Sequence, residues 1–284
     1  MPRIRPTTES IRQPAREAPF GPLGSVCRLG LATRGNTSLS ADAVLHAVER
    51  GVNFLNWCGH SDGMSRAVRE MGKQRRDVVV AVQFDARDGE AARCELDQIK
   101  QELNTSYLDV VTYYYVEHPD EWQRITAASG AADVLEAARA DGEVRMIGLT
   151  SHQRPLAAQI AAGGRLDMLM IRYNAAHRGA EEDVFPVIVP RDMPVVTYTA
   201  LRWGALMKST PDDPAEFQPP PAPDWYRFAL CHQAISVCVA APDGDAELEK
   251  DLALLDDWRG FDERTYAALC AHGGRVRRHG GGFP

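Results

Sequence analysis

Eight short apolar runs that alternate with amphipathic helical runs constrain this chain more than any other feature. The predicted strands cover residues 27–32, 52–57, 77–83, 109–115, 144–149, 167–172, 194–199 and 235–240. Predicted helices lie between them at 40–50, 64–73, 88–103, 130–141 and 155–163. Buried strands separated by single helices indicate a parallel sheet, and about eight such units close into a barrel. The expected fold class is therefore α/β, a (β/α)8 barrel.

The length of 284 residues suits one such barrel, because these domains commonly need about 250 residues. Residues 1–19 are rich in Pro and Arg, and we expect them to form a flexible arm. The barrel is expected over 20–272. Residues 273–284, where three arginines stand between two groups of glycines, are predicted to be a flexible tail.

The charge and the cysteines limit the partners. A net charge of −7 argues against nucleic acid as the main partner. No apolar run approaches the roughly 18 residues that a membrane span needs, and the N-terminus lacks the apolar core of a signal peptide. Six cysteines are scattered without a Cys-x-x-Cys pair, which predicts no metal site and suggests reduced thiols. We therefore expect a cytoplasmic protein with a small-molecule ligand.

Several segments occur in an order and spacing that mark one family. They are residues 20–24, 26–31, 51–58, 142–151, 173–174 and 197–206. Together they resemble segments of the aldo-keto reductases. In order, they correspond to that family's N-terminal hairpin and to the first, second, fifth, sixth and seventh strands of its barrel. The resemblance implies an oxidoreductase that uses NADPH or NADH, with its site at the C-terminal ends of the strands.

The resemblance also locates the family's catalytic Asp, Tyr, Lys and His, and all four positions are substituted. Asn56 stands at the Asp position, and Gln83 stands at the Lys position. The Tyr position falls on Ser61 by direct count, or on Asp62 if the next glycine is taken as the family's glycine. This chain is thus expected to be a divergent member of the family.

The His position, five residues after Asp109, holds Tyr114, while His118 would serve only in a shifted register. In the resembled family the Tyr gives a proton, and a Lys paired with the Asp lowers its pKa. The two amides Asn56 and Gln83 can form hydrogen bonds, but they cannot lower a neighbour's pKa through charge. Tyr114 is a candidate substitute acid, with a pKa expected near or above about 10.

The cofactor positions implied by the resemblance are Thr150, Ser151, Asn174, Leu201 and Tyr198, the last as the ring that stacks on nicotinamide. Met170 replaces the usual Gln. Residues 241–245 replace the turn that holds the 2′-phosphate, and Asp243 and Asp245 would repel a phosphate. We predict weak or no NADPH binding, with NADH less excluded.

Many further polar residues follow the predicted strands, namely Arg34, Asn36, His60, Glu117, His152, Arg172, His177, Arg178 and Arg202. Most are solvated in one interpretation. In another, Arg172, Arg178 or Arg202 clamps an anionic ligand. The Pro-rich residues 211–223 are either a loop that closes over the cofactor, as in the family, or a passive surface loop.

The first prediction is an oxidoreductase-family protein whose ordinary carbonyl reduction is lost or much reduced, with the site kept for a small polar ligand. Three specific hypotheses remain, and one of them is a ligand-binding or regulatory pseudoenzyme. An active reductase would need Tyr114 or Asp62 as its acid. A non-redox acid/base enzyme would use groups such as His118, His152 and Asp62.

Overall fold

Within residues 2–33 and 38–280, which the computed structural model describes, eight parallel strands close into a barrel. In chain order these strands are β3 (Leu29–Ala32), β4 (Phe54–Trp57), β5 (Val79–Phe84), β6 (Leu108–Tyr113), β7 (Val144–Ser151), β8 (Met168–Arg172), β9 (Val195–Tyr198) and β10 (Val237–Ala240). Each strand pairs with its neighbours in chain order, and β10 pairs with β3 to complete the circle. The predicted fold class is confirmed.

An antiparallel hairpin precedes the barrel, as predicted. It consists of β1 (Glu17–Pro19) and β2 (Ser25–Cys27), joined by a short 3-10 turn. Phe20 in this turn is fully buried, and its ring centroid lies 5.2 Å from that of Phe54 in β4. The hairpin therefore closes the N-terminal end of the barrel and leaves the opposite end for a site.

Helices surround the strands. They are α1 (Thr8–Arg12), α2 (Ala41–Glu49), α3 (Gly63–Glu70), α4 (Gly89–Leu103), α5 (Pro119–Ile125), α6 (Ala131–Ala140), α7 (Arg154–Ala162), α8 (Ala180–Asp183), α9 (Phe185–Ile188), α10 (Ala222–Leu230), α11 (Asp245–Asp256) and α12 (Glu263–His279). Polar side chains cap the N-termini of several helices. In α2, the side chain of Ser40 accepts a hydrogen bond from the backbone N–H of Ala43. None of the helices in the described parts of the chain is long and apolar enough to cross a membrane.

The strands are apolar on both faces because both faces are buried. In β5, Val79 and Ala81 point into the barrel interior, whereas Val80 and Val82 pack against the helices. This arrangement explains why the strand sequences read as continuous apolar runs rather than alternating ones.

Asp109 ties three strands together near the N-terminal end of the barrel. Its carboxylate accepts hydrogen bonds from Arg75 at 2.7 Å, Arg145 at 3.0 Å and the backbone N–H of Val80 at 3.0 Å. Asp109 is only 1% exposed, so the two guanidinium groups are needed to balance its buried charge.

The structure differs from the prediction at both chain ends. Residues of the expected arm form α1, and the N–H of Ile4 donates to Glu181 O at 2.8 Å. The expected tail continues α12 as far as His279, while residues 281–284 lie outside the described part. Gly273 is used for close packing, since a Cβ there would lie 2.3 Å from the backbone carbon of Ala175. Gly273 thus lets the backbone of α12 contact the backbone at Ala175. The glycine-rich composition of the segment does not reveal this use.

Candidate active site

A cavity of about 530 Å³ opens at the C-terminal ends of the barrel strands. Parallel strands bring their carboxyl ends together there, so residues far apart in sequence share one wall. Asn56, Gln83 and Tyr114 line it from β4, β5 and the end of β6, and Ser61 lines it from the loop after β4. Four of the positions that the sequence marks as altered catalytic positions therefore meet in one place.

The thiol of Cys58 occupies the centre of this group. Gln83 donates from Nε2 to its Sγ at 3.3 Å, and the Nδ2 of Asn56 lies 3.9 Å from the same sulfur. The thiol in turn contacts the carbonyl oxygen of Thr33. Asn56 is 2% exposed, and its Oδ1 has no hydrogen-bond partner among the described residues. The network is thus neutral and centred on sulfur.

Ser61 and Asp62, the two candidates for the proton-donor position, are both engaged elsewhere. The Ser61 side chain hydrogen-bonds to Glu102; although burial opposes it, the bonds from Ser61 and Ser65 and the nearby Arg69 lower the pKa of Glu102. Asp62 is the N-cap of α3 and accepts the N–H of Ser65 at 2.9 Å. It does not line the cavity. A role for Asp62 as proton donor does not fit this arrangement, because helix capping holds its carboxylate.

Aromatic rings form a continuous row along one wall. The ring centroids of Tyr114 and Tyr115 are 4.0 Å apart, and Tyr115 stacks on His152 at 4.4 Å. His152 meets Tyr198 edge-on at 5.7 Å. Burial, together with a hydrogen bond to Tyr115, raises the pKa of Tyr114 well above its usual range. Tyr114 is therefore a weaker acid than a free tyrosine.

His118 lies outside the cavity, contrary to its proposed catalytic role. It is exposed at the N-cap of α5, where its backbone N–H donates to Glu121 at 2.9 Å. A trio of His118, His152 and Asp62 is therefore not formed, because two of its members occupy helix N-termini. His118 sits where the chain turns from β6 into a helix, and that turn carries it away from the strand ends.

His152 is held by Glu117, a contact that the sequence did not indicate. One oxygen of Glu117, Oε1, accepts the backbone N–H of His152 at 2.8 Å and lies 3.2 Å from its ring Nδ1. Burial lowers the pKa of His152; Glu117 opposes this shift, and Arg172 adds to it. His152 lines the cavity as a neutral ring at neutral pH.

The five predicted cofactor residues divide into two groups. Thr150 and Tyr198 line the cavity, and the buried hydroxyl of Thr150 has no hydrogen-bond partner in the described chain. Ser151, Asn174 and Leu201 do not line it. The Ser151 hydroxyl accepts the N–H of Gln153 at 3.0 Å, and Asn174 donates to Thr199 O at 2.8 Å. These polar groups satisfy their own loops, so a nicotinamide would find Thr150 and Tyr198 rather than the full set.

The segment that the resemblance assigns to the 2′-phosphate carries acids. The side chain of Asp243 accepts from Ser38 Oγ at 2.9 Å, and its N–H donates to Glu247 at 3.0 Å. Asp245 opens α11 directly after Gly244. Carboxylates already interact with this helix N-terminus, where a phosphate would otherwise bind, so the residues present do not fit a 2′-phosphate.

The three arginines considered as an anion clamp are not in the cavity wall. Arg178 contacts Cys270 Sγ and lies 3.7 Å from Glu181, and Arg202 donates to Val276 O at 2.6 Å. Arg172, at the end of β8, does not line the cavity, but its charge acts on His152 and Tyr198, which do. The cavity wall therefore lacks the three arginines on which the anionic-ligand interpretation depends. Two of them, Arg178 and Arg202, instead contact residues of α12. Arg34 and Asn36 lie outside the described residues.

The Pro-rich loop after β9 is anchored to α12 rather than suspended over the cavity. Asp213 accepts from Arg275 Nε at 2.6 Å and contacts His272 Nδ1 at 2.8 Å. None of residues 211–223 lines the cavity. Over the described ranges, no group of three or more His, Cys, Asp or Glu side chains is placed to hold a metal ion.

Comparison with known proteins identifies the family. The family model described as "Aldo/keto reductase family" matches residues 27–246, and the chain belongs to this family. An aldo/keto reductase from Klebsiella pneumoniae, solved with NADP and acetate, superimposes with a TM-score of 0.74 at 17% identity, over 91% of this chain and 95% of that one. The holo form of aldo-keto reductase AKR11C1 from Bacillus halodurans gives 0.73 at 15% identity, over 90% and 96%.

At these identities the structural likeness establishes the barrel. No curated protein sequence matches the chain significantly.

Proposed function

We propose that this chain is an aldo-keto-reductase-like oxidoreductase-family protein that keeps a cavity for a small polar ligand but has lost most or all ordinary NAD(P)H-dependent carbonyl reduction. The observation that carries the proposal is the contact of Gln83 and Asn56 with the thiol of Cys58. This neutral network stands where the family places a Lys–Asp ion pair.

The lack of a competent proton donor supports the proposal. Carbonyl reduction needs a proton for the forming alkoxide, and a nearby cation helps a Tyr to supply it. Ser61 is a poor acid that hydrogen-bonds to Glu102, and Tyr114 has a raised pKa. Neither group has the electrostatic help that the reaction needs.

The cofactor arrangement also weighs against NADPH. Aldo-keto reductases from Klebsiella pneumoniae were solved with NADP and with NADPH. In this chain, Asp243, Asp245 and Glu247 lie at the start of α11, in the segment that the resemblance assigns to the 2′-phosphate. NADH lacks that phosphate and is less excluded, and Thr150 and Tyr198 remain available to a nicotinamide.

Two measurements test the proposal. NADPH and NADH are titrated against the protein while tryptophan fluorescence is followed, because Trp57 and Trp203 line the cavity. Turnover of a panel of small aldehydes and ketones is then followed by oxidation of each cofactor, with the Klebsiella reductase as positive control.

We expect weak or no NADPH binding and turnover at least about a thousandfold below the control, as expected when both the acid and its activating charge are lost. Carbonyl reduction at a rate near that of the control, abolished in Tyr114→Phe, would contradict the proposal. The same rate in Tyr114→Phe would contradict it too, and would point to another donor.

A further inference from the structure

His152 has the orientation of a general base. A carboxylate oxygen can only accept a hydrogen bond, so the 3.2 Å contact with Glu117 requires the neutral ring to carry its proton on Nδ1. The lone pair of a neutral ring then lies on Nε2. Among the described residues, no hydrogen bond occupies Nε2, although the ring forms part of the cavity wall.

The ring of His152 is fixed from three sides. Glu117 Oε1 binds both its backbone N–H and its Nδ1, Tyr115 stacks on one face at 4.4 Å, and Tyr198 meets its edge at 5.7 Å. Such restraint is characteristic of groups whose direction matters for chemistry.

Three of the seven non-glycine residues that have a positive φ in the described chain lie at the same cavity. Tyr115, Thr199 and Trp203 all adopt positive φ angles, of 43°, 59° and 50°, and all three line the cavity. Non-glycine residues in this region cost about 1–3 kcal/mol each and tend to cluster at functional sites. The other four do not line the cavity, so this strain accompanies the geometry of His152 and does not by itself mark a functional site.

We infer that His152 is the base of a proton-transfer site that acts on small carbonyl compounds bearing an acidic C–H next to the carbonyl, with Glu117 as its positioning residue. The inference rests on the proposed function, because it assigns chemistry to the same cavity. In the step, the C–H bond breaks and its proton moves to His152 Nε2. The electron pair passes to the carbonyl oxygen as an enolate, and return of the proton restores the ketone, so no oxidant or reductant is needed.

Buried polar groups in the cavity can hold the carbonyl oxygen. The hydroxyl of Thr150 has no partner among the described residues, but it is buried from solvent, so its side chain must turn toward the cavity before it can donate to a ligand oxygen. The Nδ2 of Asn56 is only loosely engaged, at 3.9 Å from Cys58 Sγ. An enolate oxygen gains more from such donors than the neutral carbonyl does, which favours the proton transfer.

The test is exchange of α-protons for deuterium in hydroxyacetone, dihydroxyacetone and glyceraldehyde, followed by proton NMR in D2O at low buffer concentration without nicotinamide. We expect exchange above the uncatalysed rate for at least one probe. His152→Gln should reduce it by about a hundredfold or more, the usual contribution of a general base. His46→Gln, on the exposed face of α2, is the matched control and should leave the rate unchanged.

Glu117→Gln separates positioning from folding. Its amide oxygen can still accept from Nδ1, but the charge that opposes the lowering of the His152 pKa is lost. We therefore expect the acidic limb of the pH–rate profile, and the NMR titration of His152, to move to lower pH, with exchange reduced by about tenfold.

Exchange by none of the three probes, or equal exchange in folded His152→Gln, would overturn the inference. The proposed function is judged separately, since the exchange assay contains no cofactor. Hydride transfer with added NADPH at a rate near that of the positive control would contradict the proposed function, while the exchange result would still show whether His152 acts as a base.

Discussion

Gln83 donates its side-chain amide to the thiol of Cys58, with 3.3 Å between Nε2 and Sγ. An amide in this place cannot provide the positive charge that the family's Lys supplies, and the sulfur takes over as the hydrogen-bonding centre. The second amide, Asn56, approaches the same sulfur. The substitutions at these two positions therefore form one connected arrangement rather than two independent losses.

A positive charge at residue 83 should activate this thiol. In Gln83→Lys, the ammonium group would favour the thiolate of Cys58, and we expect alkylation of Cys58 by iodoacetamide at pH 7 to become about tenfold faster. Peptide mapping by mass spectrometry assigns the modified cysteine. Gln98→Lys is the matched control, because Gln98 lies 3.4 Å from Cys94 in the same kind of amide–thiol contact. An unchanged Cys58 rate would show that residue 83 does not act on the thiol.

Removing an acid near the start of α11 should improve NADPH binding. Asp243→Lys replaces a repulsive charge by one that attracts a 2′-phosphate, so we expect the Kd for NADPH to fall by about tenfold with little change for NADH. Fluorescence titration measures both constants. Asp256→Lys, at the far end of α11, controls for net charge. Equal gains in both variants would mean that residue 243 is not at the phosphate position.

Asp251 should destabilise the folded protein above neutral pH. Burial raises its pKa to about 7, with Tyr226 as its hydrogen-bond donor at 3.2 Å. The folded state holds this proton more tightly than the unfolded chain, whose Asp pKa is about 3.9, so stability falls as pH rises from about 4 to 7. We expect Asp251→Asn to stabilise the protein by about 1–3 kcal/mol at pH 8 and hardly at all at pH 4.

Denaturant unfolding at the two pH values measures this difference. The exposed Asp256, on the same helix, gives the control variant Asp256→Asn, which should change stability little. A destabilised Asp251→Asn protein at pH 8 would mean that the ionised carboxylate is favourable in its buried position.

Loss of the Asp109 charge should weaken the barrel. Asp109→Asn leaves Arg75 and Arg145 without their shared carboxylate, and we expect a loss of about 3–5 kcal/mol in the free energy of unfolding. Asp97→Asn removes an exposed charge that pairs with Lys100 and should cost under about 1 kcal/mol. Similar losses for the two variants would argue against a buried, balanced ion cluster.

Two adjacent glycines in α12 should respond in opposite directions to the same substitution. Gly273→Ala would force a Cβ against the backbone of Ala175, and we expect destabilisation by about 2–3 kcal/mol. A Cβ at Gly274 meets no atom within 4 Å, so Gly274→Ala should stabilise by about 0.5–1 kcal/mol through helix propensity. Thermal unfolding compares them directly. If both stabilise, the residues after 272 do not pack as α12.

The barrel could be predicted from sequence because its strands and helices are local patterns. Each predicted strand overlaps an observed one, and the five predicted inter-strand helices correspond to α2, α3, α4, α6 and α7. Motif spacing also placed Asn56, Gln83 and Tyr114 at strand ends, and the closed barrel brings them together. These residues were predictable because a strand carries its last residues to a fixed end of the barrel.

What the sequence could not determine is how each loop side chain is used. Asp62 and His118 follow strands just as Ser61 and His152 do, yet helix N-termini hold the first two. The choice depends on where each chain turns and on which unpaired backbone N–H groups must be satisfied. The Glu117–His152 contact joins loops from two strands, and Gly273 serves close packing against Ala175. By itself the sequence determined the barrel and predicted which positions depart from the family's catalytic pattern; the tertiary structure decided which polar groups face the cavity, because that depends on contacts between distant segments.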